Sequence, residues 1–347
     1  MTVIERIREL KTAQAYLLTS QINVLYASGF TGDSSEFLIT GAGAVFFTDS
    51  RYTLQAERQL NGLAQVITTS GKDRSSAIKS ALTGIKTLAI EKTDVSMQRY
   101  GEFETDFDVE SYVDISDALL TMRAVKTEEE VRKIEIAARA SEKALTELLQ
   151  CVRPGISELD IRAELVYQIN RQGMESAFDP IVAGGENSAL PHAQPGAYKL
   201  RRGDMLTLDF GCRYEGYCSD MTRTFGIGQV DGELKRIYDV VKRAQQRALD
   251  VSQAEQSARA IDAAARQVID EAGYGACFGH GVGHGVGLEV HERPVLNPHS
   301  AHTMQKNMVY TVEPGVYIAG SGGVRIEDTC VYGRGSIHSF SKELILI

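Results

Sequence analysis

Four carboxylates and one imidazole, Asp209, Asp220, His284, Glu313 and Glu327, are the residue types that hold a pair of divalent cations. Brought together without a cation, the four acids would repel one another and raise one another's pKa values. Divalent metal resolves that conflict. Oxygen ligands with a single imidazole suit Mn²⁺, and Co²⁺, Zn²⁺ and Fe²⁺ are the other ions such a set accepts. Two ions roughly 3.5–4 Å apart share a water, lower its pKa and polarise a scissile carbonyl, which is the chemistry of hydrolysis. Taken singly, each residue has a plainer reading. Asp220 alone is a turn or strand-end residue, and Glu313 alone flanks the bend at Pro314.

Between the two pairs of acids lies the stretch Phe278 to Glu292, F-G-H-G-V-G-H-G-V-G-L-E-V-H-E. Glycine recurs at every second position from Gly279 to Gly287, so the backbone is open to conformations closed to other residues and can bring His280, His284 and His291 close together. Neither a G-K-[ST] sequence nor a strand leading into G-x-G-x-x-G is present to support a nucleotide site. His192 follows Pro191 in a polar loop and reads equally as solvated or functional. His299, His302 and His338 belong to no such constellation.

The acids sit at the ends of apolar strand patterns. Leu206 to Gly211 leads to Asp220 eleven residues after Asp209, and Val309 to Gly315 leads to Glu327 fourteen residues after Glu313. Each is an apolar strand ending in acid-x-Gly, a turn containing Gly and Tyr, and a returning strand with a second acid. The echo predicts two similar hairpins that face each other. Period-two alternation places Thr207 with Asp209, Thr311 with Glu313, and Arg325 with Glu327, away from the apolar faces.

The rest of the chain must position these strands. To about residue 122 the pattern is mixed α/β: strands at Ala15–Leu18, Glu36–Thr40, Ala44–Thr48, Leu88–Ile90 and Tyr112–Ile115, and helices at Thr53–Leu60 and Arg74–Leu82. Asp33, Glu36, Asp49 and Arg51 read as turn, cap or surface residues. A boundary falls across Met122 to Lys126, giving domains 1–122 and 127–347. Thr127-Glu128-Glu129-Glu130 is a capping box that opens an amphipathic helix through Leu148, broken at Arg153-Pro154-Gly155. Ser157 starts a second helix, which ends near Gly173. Residues Ala183 to His192 read as a loop, and two further helices are predicted over Glu233–Val251 and Ala258–Ala272.

At 347 residues with a formal net charge of −9, the chain has the composition of an ordinary globular protein and lacks the basic clusters of a nucleic-acid binder. No apolar run approaches the roughly 20 residues of a membrane helix, and no secretory leader is apparent at the start. The five cysteines are odd in number and without C-x-x-C spacing, as expected for reduced thiols in the cytoplasm.

The motifs D-F-G, S-D-M-T-R-T, G-H-G-V-G-H-G-V-G-L-E-V-H-E, V-E-P-G-V-Y and G-V-R-I-E-D-T, in this order, resemble the pita-bread metallopeptidases, which include prolidase (Xaa-Pro dipeptidase), aminopeptidase P and methionine aminopeptidase. The first domain is similar to the creatinase/prolidase N-domain through Asn23-Val24-Leu25-Tyr26, Gly29-Phe30-Thr31-Gly32 and Thr48-Asp49-Ser50-Arg51-Tyr52. The resemblance implies an α/β (α+β) chain: a mixed-sheet α/β N-terminal domain followed by a pseudo-symmetric pita-bread catalytic domain. It implies a dinuclear centre in which Asp209 chelates one ion, Asp220 and Glu327 bridge both, and His284 and Glu313 complete the other. Glu313 would also act as the general base. His192, His280 and His291 would surround the substrate, with Arg325 and Thr222 behind the carboxylates orienting them.

The activity so implied is hydrolysis of the Xaa-Pro bond by a metal-bridging hydroxide, on Xaa-Pro dipeptides in preference to the longer peptides of aminopeptidase P. The free carboxylate of a dipeptide needs a cation, and Arg293 is placed to provide it, although a solvent-exposed arginine ahead of a turn proline is an equal reading. Family dimers let the N-domain of one subunit border the site of the other, so a homodimer is implied in which the Gly32–Glu36 loop limits substrate length. A non-catalytic module that binds a peptide or protein partner is the alternative of a different class, but it would not need the five-ligand set.

Overall fold

The computed structural model describes residues 1–254 and 256–347, and its chain divides into two units, Met1–Met122 and Arg123–Ile347. In the first unit six strands, β1 (Ala15–Leu18), β2 (Ser35–Thr40), β3 (Ala44–Thr48), β4 (Gln65–Thr68), β5 (Thr87–Ile90) and β6 (Ser111–Asp114), form one mixed sheet in the order β4-β3-β2-β1-β5-β6. Alternation explains why their apolar runs are nearly continuous. Ala15 and Leu17 enter the core on one face while Tyr16 and Leu18 enter the core on the other, and Phe47 and Phe46 divide likewise. Helices cover both faces, including Gln21–Ser28 and Met97–Asp106, which the reading of the sequence did not single out as helices.

The second unit repeats one plan twice. Helices Glu128–Leu148 and Glu158–Arg171 precede β7 (Glu175–Ser176), β8 (Ile181–Gly184), β9 (Met205–Phe210), β10 (Cys212–Tyr214), β11 (Tyr217–Cys218) and β12 (Met221–Gly226). Helices Gly232–Ala254 and Ala258–Glu271 then precede β13 (Gly283–Gly285), β14 (Glu292–Leu296), β15 (Val309–Val312), β16 (Gly315–Ile318), β17 (Gly322–Arg325), β18 (Glu327–Val331) and β19 (Gly335–Ser336). The capping box at Thr127 forms, its N–H donating to Glu130 Oε2 at 2.7 Å, and the structure shows a second at the next helix, where Ser157 and Asp160 cap each other. Each cap contributes about 1 kcal/mol.

Seven strands make the main sheet, in the order β14-β13-β15-β18-β12-β9-β8, with β19 added on β18. The first helix pair packs on one half of it through Leu206, Leu208 and Phe210, all fully buried and each worth about 1.5–3 kcal/mol of transfer free energy. The second pair packs on the other half through Tyr310, Val312 and Cys330.

Three expectations change here. The acid-bearing segments do not face each other. β9 with β12 and β15 with β18 lie side by side, joined edge to edge through the central β12–β18 pairing, because their unpaired backbone groups complete one continuous ladder. The Gly/Tyr turns are not simple turns either: β10–β11 and β16–β17 are short hairpins that leave the main sheet and return to it. Part of the segment read as a loop, Ala183–Gly184, belongs to β8, whose Ala183 pairs with Thr207.

Among the described residues no helix is long and apolar enough to cross a membrane, and all five cysteines are free thiols.

Candidate metal centre

Strand register gathers the acids. Thr222 on β12 pairs with Asp209 of β9 on one side and with Glu327 of β18 on the other. Glu313 follows directly after the Val312–Asp328 pair that ends β15, its N–H donating to the Val282 carbonyl. Neighbouring strands are about 4.8 Å apart, so a single row across the sheet carries Asp209, Thr222 and Glu327. Asp220 stands just before β12. On the next strand, β13, the His284 N–H donates to Thr311 Oγ1 at 3.0 Å.

The side chains converge. Donor atoms of Asp220, His284 and Glu327 lie within 4.8 Å of one another. His284 Nε2 stands 3.1 Å from Glu313 Oε1 and 3.6 Å from Asp220 Oδ2. Its Nδ1 faces the Gly285 carbonyl at 3.1 Å, which fixes the proton there and leaves Nε2 free to ligate. Burial and the neighbouring carboxylates push Asp220 and Glu327 well above the usual carboxylate range, and burial raises Asp209 against the pull of Arg325. Burial raises Glu313 too, but the hydrogen bond and charge of His284 overcome it and bring that group down to about 2. Asp209 Oδ1 and Asp220 Oδ1 are buried without a hydrogen-bond partner among the described residues. Orphaned carboxylate oxygens beside an imidazole nitrogen aimed among them are a set that divalent cations satisfy.

Behind the acids is a network of donors. Arg325, at the end of β17 and 3% exposed, donates to Asp209 Oδ2 at 2.6 Å, to Thr222 Oγ1 at 3.1 Å and to the Tyr317 hydroxyl at 2.8 Å. Thr222 in turn donates to Glu327 Oε2 at 2.6 Å, and Thr311 donates to Glu313 Oε1 at 3.1 Å. Thr222 is therefore buried behind Glu327 rather than open to the site. His280 Nε2 reaches the Tyr317 hydroxyl at 2.9 Å. Alternation along the chain paired Thr311 with Glu313 but did not single out Tyr317, whose only sequence signal is its place in V-E-P-G-V-Y.

A cavity of about 300 Å³ opens over these residues. It is lined by His192, His280, His291 and Arg325 beside the five acid and histidine candidates, and by the apolar Phe178, Ile181, Val290 and Val295. The His284 and His291 rings stand edge to face, 4.2 Å between centroids. Arg293 is half-buried on β14, between His291 and Val295, and does not line the cavity. Of the three histidines read as lying in no constellation, His299 and His302 are away from it, but His338 is buried against the backbone of Asp220. Nothing near it in the sequence marks that position.

The glycine-rich stretch works differently from its first reading. None of Gly279 to Gly287 has a positive φ. A Cβ on Gly283 would instead strike the Thr311 carbonyl, and one on Gly285 the Arg293 carbonyl, so these glycines let β13 press against its neighbours. Gly283→Ala is expected to cost about 1–3 kcal/mol of stability and to displace His284. An unchanged urea midpoint together with unchanged metal uptake would show that the strand has room to spare.

The chain matches the model of metallopeptidase family M24 over residues 132–333 and that of the creatinase/prolidase N-terminal domain over residues 2–125. It is 34% identical to an Xaa-Pro dipeptidase of Pyrococcus horikoshii, over 94% of this chain and 92% of that one. Among solved structures, an Xaa-Pro dipeptidase from Bacillus anthracis superposes with a TM-score of 0.94 at 36% identity, covering 99% of each chain. An X-Pro aminopeptidase from Thermotoga maritima superposes with a TM-score of 0.93 at 36% identity, over 99% of this chain and 100% of that one. The doubled helix-and-strand plan, the convergent acids and the whole-length likeness agree: an N-terminal α/β domain is joined here to a pita-bread catalytic domain, and the chain belongs to metallopeptidase family M24.

Proposed function

We propose that this protein is an Xaa-Pro dipeptidase whose two divalent ions, Mn²⁺ by preference, are held by Asp209, Asp220, His284, Glu313 and Glu327. The observation that carries the reading is the convergence of Asp209, Glu327 and Glu313, with Thr222 between Asp209 and Glu327, on Asp220 and His284, where the Asp209 and Asp220 Oδ1 atoms are buried without a donor among the described residues. These five side chains would hold the ions, the carboxylates offsetting their charge and His284 adding its Nε2. When bound, the ions supply Lewis-acid polarisation of the scissile carbonyl and acidify water. Glu313 accepts the proton of the attacking water and passes it to the prolyl nitrogen as that leaves. His291 donates to the substrate carbonyl as negative charge develops on it, while His280, its Nδ1 on the Gly281 carbonyl and its Nε2 on the Tyr317 hydroxyl, packs against the substrate, and His192 borders the same cavity. Arg325 and Thr222 keep Asp209 and Glu327 in place.

The apolar wall of Phe178, Ile181, Val290 and Val295 suits a prolyl ring and an apolar first residue. Arg293, on the strand that carries Val295 to the cavity but not itself part of the lining, is the cation we assign to the free carboxylate of the dipeptide where that group projects beyond the lining. A cytoplasmic homodimer completes the reading. A second reading, an aminopeptidase acting on longer peptides with proline second, is favoured by the likeness to the Thermotoga maritima enzyme, which equals in identity that to the Bacillus anthracis dipeptidase.

Offered an Xaa-Pro dipeptide and an Xaa-Pro-Xaa tripeptide, the Mn²⁺-loaded protein is expected to cleave the dipeptide, to lose that activity with chelator and to regain it when Mn²⁺ is restored. Cleavage of the tripeptide alone would make it an aminopeptidase. No cleavage of either with any of Mn²⁺, Co²⁺, Zn²⁺ or Fe²⁺ would leave a peptide-binding module.

A further inference from the structure

Asp220 belongs to no strand, since β11 ends at Cys218 and β12 begins at Met221. Side chains hold its backbone instead of a ladder. Its N–H donates to Thr329 Oγ1 at 3.2 Å, and its carbonyl accepts from Thr329 Oγ1 at 2.6 Å and from His338 Nε2 at 3.1 Å. A carbonyl only accepts, so Nε2 carries the imidazole proton.

His338 sits on the segment Ser336–Lys342, which runs behind the acid row and is tied down along its length. Glu142, on the helix Glu128–Leu148, accepts from the backbone N–H groups of Ser339 and Phe340 and from Ser339 Oγ, and its Oε1 stands 3.7 Å from His338 Nδ1. Arg223, 1% exposed, donates to the Phe340 carbonyl at 3.0 Å and the Ser341 carbonyl at 3.2 Å. The same guanidinium donates to the carbonyls of Thr222 and Glu327 and to Asp328 Oδ1. Asp328, fully buried, also takes Lys342 Nζ at 2.6 Å and Ser336 Oγ at 2.9 Å. The strap therefore holds the main chain of Asp220 directly through His338 and that of Glu327 through Arg223, whose guanidinium joins both.

We propose that His338 is a positioning residue for the Asp220 carboxylate, and that Ser336–Lys342 is a strap setting the spacing of Asp220 and Glu327, two of the acids assigned above to hold the ions. The inference rests on that metal-centre reading. Metal sites hold their ligand distances to about 0.2 Å, so a carboxylate whose backbone loses one of its two acceptor contacts loses affinity before the fold fails.

The test is calorimetric titration of Mn²⁺ into the metal-stripped full-length chain, with thermal unfolding of each variant alongside. Wild type is expected to bind two ions. His338→Leu should bind the weaker of them about 10–100-fold less tightly. His338→Gln, whose side-chain amide can donate where Nε2 does, should recover most of the loss. Glu142→Ala, which frees the strap from its base, should weaken the same ion, and it decides the matter if His338→Leu does not fold. Wild-type affinity in both folded variants would overturn the strap proposal alone. A wild type that takes up no Mn²⁺, Co²⁺ or Zn²⁺ would overturn the metal-centre reading and the strap with it. A lowered unfolding temperature with unchanged ion binding would make His338 a packing residue and refute its positioning role.

Discussion

Glu313→Gln is expected to lower kcat by about 10²–10⁴-fold while the protein remains folded. The amide keeps the volume and one acceptor oxygen, so the hydrogen bond from Thr311 Oγ1, now 3.1 Å, has a partner after the change. What it loses is the ability to take a proton. In the wild type the carboxyl is held down to about 2, burial opposing and His284 prevailing, so it stands ionised across the neutral range. Steady-state kinetics would be read beside metal content. A large fall in kcat with both ions retained identifies the proton acceptor, a fall accompanied by loss of an ion identifies the ligand role, and more than a tenth of wild-type activity removes Glu313 from the chemistry.

Arg325→Met carries the largest expected effect on stability, about 3–5 kcal/mol in the metal-free protein, or roughly 10 °C in Tm for a unit of this size. The side chain is 3% exposed, so its charge is desolvated, and it is retained because Asp209, Tyr317, Thr222 and the Pro191 carbonyl all receive its N–H groups. Methionine fills much of the volume and supplies none of the donors. Asp209 would then be left as a buried carboxylate with both oxygens unsatisfied, Oδ1 being without a partner already. Saturating Mn²⁺ should return part of the loss, because a ligand that binds only the folded state stabilises it by mass action. A loss below about 1 kcal/mol without metal would mean that the carboxylate is solvated after all, contrary to the burial argument.

Much of this was legible in order along the chain. The two acid-x-Gly strand ends and their returning acids mark the doubled plan, because an apolar strand that closes on an acid is unusual enough to be noticed twice. The capping boxes at Thr127 and Ser157 fix where the helices begin, since the residues involved are three apart and need no tertiary partner. The glycines at alternate positions were legible as a special stretch, but not the reason for them. Alternation brings the same face of β13 against neighbours whose carbonyls leave no space for a Cβ, and those neighbours, Thr311 and Arg293, are set by pairing rather than by local backbone preference.

The sequence by itself determined which residues are able to do chemistry, the identities of five candidate ligands, and the strand faces on which Asp209 and Glu313 stand, all properties of residue type and of period two. Tertiary structure decided how they meet. Asp209 and Glu327 are brought into one row only because β9, β12 and β18 are neighbours in the sheet, and hydrogen-bond register between strands so far apart in the chain is not encoded in either one alone. It also decided that His338, read at first as lying in no constellation, is packed behind Asp220, because a histidine acquires its role from what the fold places against its ring nitrogens.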